Sequence, residues 1–163
     1  MVKILEKGTA DFDRMVAFAE KCSWIWGRRL GERLKDEPVS DGADGFPRGA
    51  FVKCDMEWEI PVADFGENGE PRGFGVLSST DFPEGGYIPW VANLFVEKDF
   101  RGHRISEKLI EVMEQKAKEL GYDIIYLVTD HVNLYEKYGY EKFETCTAPW
   151  DPDQTESIYR KKL

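Results

Sequence analysis

Val96-Glu97-Lys98-Asp99-Phe100-Arg101-Gly102-His103-Arg104-Ile105-Ser106 decides how this chain is read. An apolar run, Trp90 to Val96, leads into it, and a long amphipathic stretch leaves it. The pattern is a strand, a basic loop containing glycine, and a helix start. Amides at a helix start have no partner within the helix, and the helix dipole favours an anion there. Arg101 and Arg104 add guanidinium groups that suit phosphate geometry. The loop is not a GxxxxGK[ST] phosphate loop, and it lacks the three glycines of a dinucleotide fingerprint.

A second segment follows. Ile124 to Thr129 is an apolar strand that runs through Asp130 and His131 into Val132-Asn133-Leu134-Tyr135-Glu136-Lys137-Tyr138. This reads as a short helix stopped at Gly139, where φ turns positive. Tyr140 to Thr145 is again strand-like.

Together these residues resemble the GNAT family of N-acetyltransferases. That family's phosphate loop reads Arg/Gln-x-x-Gly-x-Gly/Ala after an apolar strand, and Arg101-Gly102-His103-Arg104-Ile105-Ser106 matches it at Arg101 and approximately at Ser106. The family's "LYEKxGF" element is met by Leu134-Tyr135-Glu136-Lys137-Tyr138-Gly139-Tyr140. The likeness extends over residues 72–146 and looks closest to a bacterial subgroup with "RGxRxSEKLI" and "DHxxLYEKYGF" elements. Arg104 departs from it, standing where most members have Gly.

At 163 residues, with 42% hydrophobic content, the chain has the size and core of one domain, residues 1–163. Three widely spaced cysteines (Cys22, Cys54, Cys146) suit a reduced, cytoplasmic protein. Two histidines and no Cys/His cluster argue against a structural zinc site, and no metal is expected. No apolar run is long enough for a membrane helix. Residues Met1 to Lys7 read as a first strand, without a signal peptide's apolar stretch. A formal net charge of −9 disfavours nucleic acid as a partner. It suits a cationic substrate, and equally a protein that is acidic for solubility alone.

From the N-terminus, Thr9 and Asp11 are both suited to cap a helix reaching about Cys22, with Phe12, Met15, Val16, Phe18 and Ala19 as its apolar stripe. Residues 23–35 read as a second helix that Gly27 and Gly31 weaken. Residues 36–50 read as a loop, either a substrate lid or a plain connection. Phe51 to Phe65 reads as one strand whose period of two puts Asp55, Glu57 and Glu59 on one face, a solvated face or a negative wall for an amine. A hairpin turn at Gly66–Pro71 follows, then strands over 72–80 and 87–96, a helix over 103–120 and a terminal strand over 157–163. The expected fold is mixed α/β and GNAT-like: a mostly antiparallel sheet of six to seven strands, with about four helices on both faces.

The resemblance implies an acetyl-CoA-dependent N-acetyltransferase in which a primary amine attacks the thioester directly. Arg101, Gly102, His103, Arg104, Ile105 and Ser106 would then hold the pyrophosphate. Leu94, Phe95 and Val96 would pair with the pantetheine arm at a splay in the sheet, and an amide near Phe95 or Val96 would bind the oxyanion. Asn133 would either bond the coenzyme arm or start its helix. Tyr135 matches the family's tyrosine and would be the general acid for the departing thiolate. The strand over 87–96 carries no acid, so the base is open among His131, Asp130, Asp55, Glu57 and a water chain. The acceptor is a small-molecule or peptide amine, and a homodimer is common in the family. A non-catalytic acyl-CoA-binding or sensor domain on the same fold is the alternative, and a small interaction module with a fortuitous loop is a third reading.

Overall fold

A computed structural model describes residues 1–36, 51–54 and 57–163. The 36–50 loop, past Asp36, and Asp55 lie outside the described residues. Eight strands form one sheet: β1 (Val2–Ile4), β2 (Phe51–Cys54), β3 (Glu57–Phe65), β4 (Pro71–Ser78), β5 (Trp90–Val96), β6 (Ile124–Thr129), β7 (Glu141–Ala148) and β8 (Asp151–Lys162). Their order is β1-β3-β4-β5-β6-β8-β7, with β2 added on β3. Every pairing is antiparallel except β5 with β6. The expected mixed, mostly antiparallel sheet is present.

Three α-helices cover it: α1 (Ala10–Lys21), α2 (Ile25–Asp36) and α3 (Ile105–Glu119). Thr9 caps α1, its hydroxyl accepting the Phe12 amide at 3.3 Å. Phe12, Met15, Val16 and Ala19 form its buried stripe, as the spacing predicts. Gly31, which weakens α2 by propensity, lets it pack closely on α1. A Cβ there would lie 2.9 Å from the Glu20 amide nitrogen and 3.1 Å from the Val16 carbonyl oxygen. The fourth expected helix is only a 3₁₀ turn, Tyr135–Tyr138, so the α-helices among the described residues number three. Four residues are too few for an α-helical ladder.

The sheet separates two apolar cores. Ile105, Leu109, Ile110, Met113 and Ala117 of α3 pack with Trp58, Ile60, Val62 and Leu77. On the opposite face α1 and α2 pack with Ala63, Phe65, Phe74 and Val76. Period two along β3 explains the division, with even positions facing α3 and odd positions facing α1 and α2. This corrects the expected single strand over 51–65 and its acidic wall. The run breaks into the antiparallel pair β2–β3. Glu59, an odd position, points under α2, is 1% exposed and meets Arg33 through both carboxylate oxygens at 2.6 and 3.1 Å. Removing Arg33 would take a two-armed cationic partner from a buried carboxylate and destabilise the protein.

Candidate active site

The same counting fails once, in β5, and that failure builds the site. Val91 faces the α3 core and Ala92 faces the α1–α2 core. Strict alternation would send Phe95 to the α3 side. Instead Phe95 joins Ala92, while Leu94 and Val96 pack on the α3 side. The register explains it: Val76 opposes Ala92 and Phe74 opposes Phe95, so β5 holds one residue more than β4 across that interval. This is a β-bulge, with Asn93 in left-handed backbone at φ 50°. Asparagine tolerates that region better than most residues.

Next to the bulge the sheet opens. β5 pairs with β6 at Trp90↔Tyr126 alone, so beyond Trp90 their backbones have no ladder between them. The expected splay at Leu94, Phe95 and Val96 is therefore present. A cleft of about 1090 Å³ fills the opening, lined by these three residues, by Arg101, Gly102, Arg104, Ile105 and Ser106, and by Thr129, Asp130, His131, Leu134 and Tyr135. Strand ends, the start of α3 and the 3₁₀ turn thus converge on one space.

The basic loop begins with Arg101, whose Nε donates to the Val96 carbonyl at 3.0 Å. Gly102 takes φ 83°, which glycine alone adopts readily. Arg104 caps α3 in left-handed backbone at φ 57° and makes no side-chain cap. Its guanidinium is paired with Glu107, with Nη2 at 2.6 Å from Oε1. The Glu107 partner holds Arg104's proton more tightly, and Arg104 in turn keeps Glu107 below the usual carboxylate range. The first bond of the helix runs from the Lys108 amide to the Arg104 carbonyl, so the preceding amides of α3, which include those of the cleft-lining Ile105 and Ser106, have no partner within the helix. The Ser106 hydroxyl meets the Tyr138 hydroxyl at 3.1 Å.

Two of the expected coenzyme residues stand apart from the cleft lining. His103 is exposed and its Nδ1 lies 3.1–3.2 Å from the Arg101 and Phe100 carbonyls. Asn133 is exposed in left-handed backbone at φ 62°, and its amide supports the Glu136 carboxylate as the 3₁₀ turn begins.

Tyr135 is 8% exposed, lines the cleft and bonds Thr129. Burial pushes its hydroxyl up to about 12. One carboxylate went unread in the sequence. Glu156 of β8 is 4% exposed, lines the same cleft, and receives a hydrogen bond from Gln154 Nε2 at 2.5 Å. Burial pushes its pKa above the usual carboxylate range, and the neighbouring Asp130 charge adds to the rise. Its signal was present in the alternation of Gln154, Glu156 and Ile158, but the expected strand began at Ser157, one residue too late. Of the other base candidates, Asp130 and His131 reach the cleft, and Glu57 does not line it. Among the described residues no group of three or more His, Cys, Asp or Glu is placed to hold a metal, and no helix is long and apolar enough to cross a membrane.

A model of the acetyltransferase (GNAT) domain matches residues 59–142, about half of the chain. No curated protein matches it. Among solved structures, the aminoglycoside 6'-N-acetyltransferase from Enterococcus faecium is similar at a TM-score of 0.68 and 16% identity, over 99% of this chain and 96% of that one. An aminoglycoside 6'-N-acetyltransferase complexed with coenzyme A gives 0.66 at 16% identity, again over 99% and 96%. Nourseothricin acetyltransferase gives 0.52 at 20% identity, over 69% of each chain. Identities this low carry the fold and nothing finer. The domain match reaches further: with its helix-capped opening beside a broken sheet, this chain belongs to the GNAT family of N-acetyltransferases, enzymes that use acetyl-CoA as co-substrate.

Proposed function

We propose that this protein moves the acetyl group of acetyl-CoA directly onto a primary amine of a small molecule or peptide, in the cytoplasm. The observation that carries this reading is the convergence, in one cleft, of the unladdered edge of β5, the open amides of α3 and the buried Tyr135. The amide-rich pantetheine arm would pair with Leu94–Val96 as a short added strand. The pyrophosphate would sit on the amides of Gly102 to Ser106, with Arg101 and Arg104 adding charge.

The amine must first lose a proton. Glu156 is the carboxylate best suited to accept it, because it is buried in the cleft lining and burial makes it a stronger base than an exposed carboxylate. The amine nitrogen then attacks the thioester carbon, and the carbonyl oxygen takes the negative charge. An amide of Phe95 or Val96 at the bulge would hold that oxygen. The C–S bond breaks, and the thiolate receives its hydrogen bond from Tyr135. A free thiol has a pKa of about 8.5, so full proton transfer from a phenol near 12 would be uphill by roughly 5 kcal/mol. Tyr135 therefore stabilises the departing sulfur first, and the proton completes its transfer as the ammonium formed by attack gives one up. Overall the amine loses one N–H and coenzyme A gains one S–H.

A thiol-release assay with acetyl-CoA and a panel of amines tests this reading, together with a thermal melt. Ligand at about 100 times its Kd should stabilise the native state by roughly 2.7 kcal/mol. Binding with no thiol release from any amine would leave only a coenzyme-binding domain.

A further inference from the structure

One part of the cleft lies outside the residues assigned above to the coenzyme. Trp26 from the first turn of α2, Phe82 from the β4–β5 connection and Trp150 from the β7–β8 turn all line it. Trp150 is the centre of this group. Its ring centroid lies 5.1 Å from that of Trp26 and 5.1 Å from that of Phe82 in an edge-to-face arrangement. It is nonetheless 46% exposed. Three separate elements thus present aromatic rings to an open space, the kind of surface that a ligand covers.

The panel is tied to the buried carboxylate. Trp150 Nε1 donates to Gln154 Oε1 at 3.3 Å, and Gln154 Nε2 donates to Glu156 Oε1 at 2.5 Å. Gln154 therefore spends one end of its amide on each neighbour. Rings and carboxylate form one unit on β8. The charges of the cleft are also segregated by origin. Its arginines, Arg101 and Arg104, come from the α3 loop, whereas the rest of the lining carries Asp81, Asp130 and Glu156 and no Lys or Arg among the described residues.

We propose that Trp26, Phe82, Trp150 and Glu156 form the acceptor subsite, and that it selects a primary amine borne on an apolar aromatic or cyclic aliphatic body. The inference rests on the acetyl-transfer reading and narrows its substrate. The ammonium would face Glu156, and the body would lie on the rings, where cation–π attraction and apolar burial act together. A polyhydroxylated polycation fits less well. Its hydroxyls would meet Trp26, Phe82, Pro149 and Trp150, and Gln154 already has both ends of its amide engaged.

Two measurements on the full chain test this. Calorimetry of benzylamine and cyclohexylmethylamine into the protein saturated with coenzyme A reads the subsite without turnover, with benzyl alcohol as the uncharged control. Both amines should bind and the alcohol should not; no heat from either amine overturns the subsite. Thiol release is then compared between these amines and an aminoglycoside, for wild type and Trp150 variants. Trp150→Ala should raise the KM for benzylamine about tenfold, a stacking contact's worth, and leave the KM for acetyl-CoA unchanged. Trp150→Phe should recover most of the loss. A preference for the aminoglycoside, or an unchanged benzylamine KM in a folded Trp150→Ala protein, overturns the inference and leaves acetyl transfer standing. Heat of amine binding without thiol release from any amine does the reverse: the subsite stands and transfer fails.

Discussion

The hydroxyls of Ser106 and Tyr138 lie 3.1 Å apart, joining the first turn of α3 to the 3₁₀ turn that carries Tyr135. A serine hydroxyl donates one bond and accepts two. Tyr138 can therefore donate to Ser106 while Ser106 donates to a phosphate oxygen. Tyr138→Phe removes the first of these bonds. Coenzyme A affinity should fall by about 0.5–1.5 kcal/mol, read by calorimetry, with the Tyr138 ring still packed. Equal affinity would mean that Ser106 reaches phosphate unaided.

For Tyr135, the substitution to Phe keeps the ring and deletes only the hydroxyl. kcat should fall by about 10²-fold or more, with little change in the KM for acetyl-CoA, since the interaction grows as the thiolate forms. Steady-state kinetics on a protein whose melt matches wild type decides it. Near wild-type turnover would hand the proton to water.

Arg104 serves two opposed ends. Its left-handed backbone suits glycine, and its guanidinium is committed to Glu107. Arg104→Gly should raise the melting temperature by relieving the backbone, yet weaken coenzyme A binding, with the loss shrinking at high salt. Glu107→Gln should act the other way on binding, because it releases the guanidinium for phosphate. Unchanged affinity in both variants would make the pair a surface contact only.

Glu156 gives a pH signature. Its pKa is raised in the native state, so the native protein binds that proton more tightly than the unfolded chain. At pH below the ordinary carboxylate value of about 4.3 both states are protonated and no penalty exists. As pH climbs from there through the raised native value, the charge forms in a buried place and stability is lost. Glu156→Gln should therefore melt higher than wild type at neutral pH, with the gain vanishing toward low pH. The acidic limb of kcat/KM should disappear in the same variant. A retained limb would assign the proton to Asp130, His131 or solvent.

Local rules reached much of this. The stripes of α1 and α3, the Thr9 cap, the hairpin after Phe65 and the glycine-bearing loop that opens α3 all follow from residues within a few positions of one another. What escaped depends on distant partners. Glu59 reads as one of three surface acids until Arg33, 26 residues earlier, is laid over it. The bulge is invisible in Trp90–Val96, because seven mostly apolar residues alternate equally well in either phase, and only β4 reveals the extra one. Glu156 entered the cleft because β8 outruns β6 at its start, a length that pairing with β7 sets. Asn133 and His103 fit the motif by spacing, but their local backbone turns them outward.

The bulge makes the integer length of β5 a functional quantity. A side chain in that strand can be exchanged at the ordinary expense of repacking, since its neighbours adjust by fractions of an ångström. Deleting Asn93 is different in kind. It restores phase with β4 and leaves Leu94, Phe95 and Val96 on their present faces, and what it removes is the bulge itself, the irregularity beside which the sheet opens. The opening beside β6 is thus protected by arithmetic: the strand tolerates drift in composition and rejects a change of one in count.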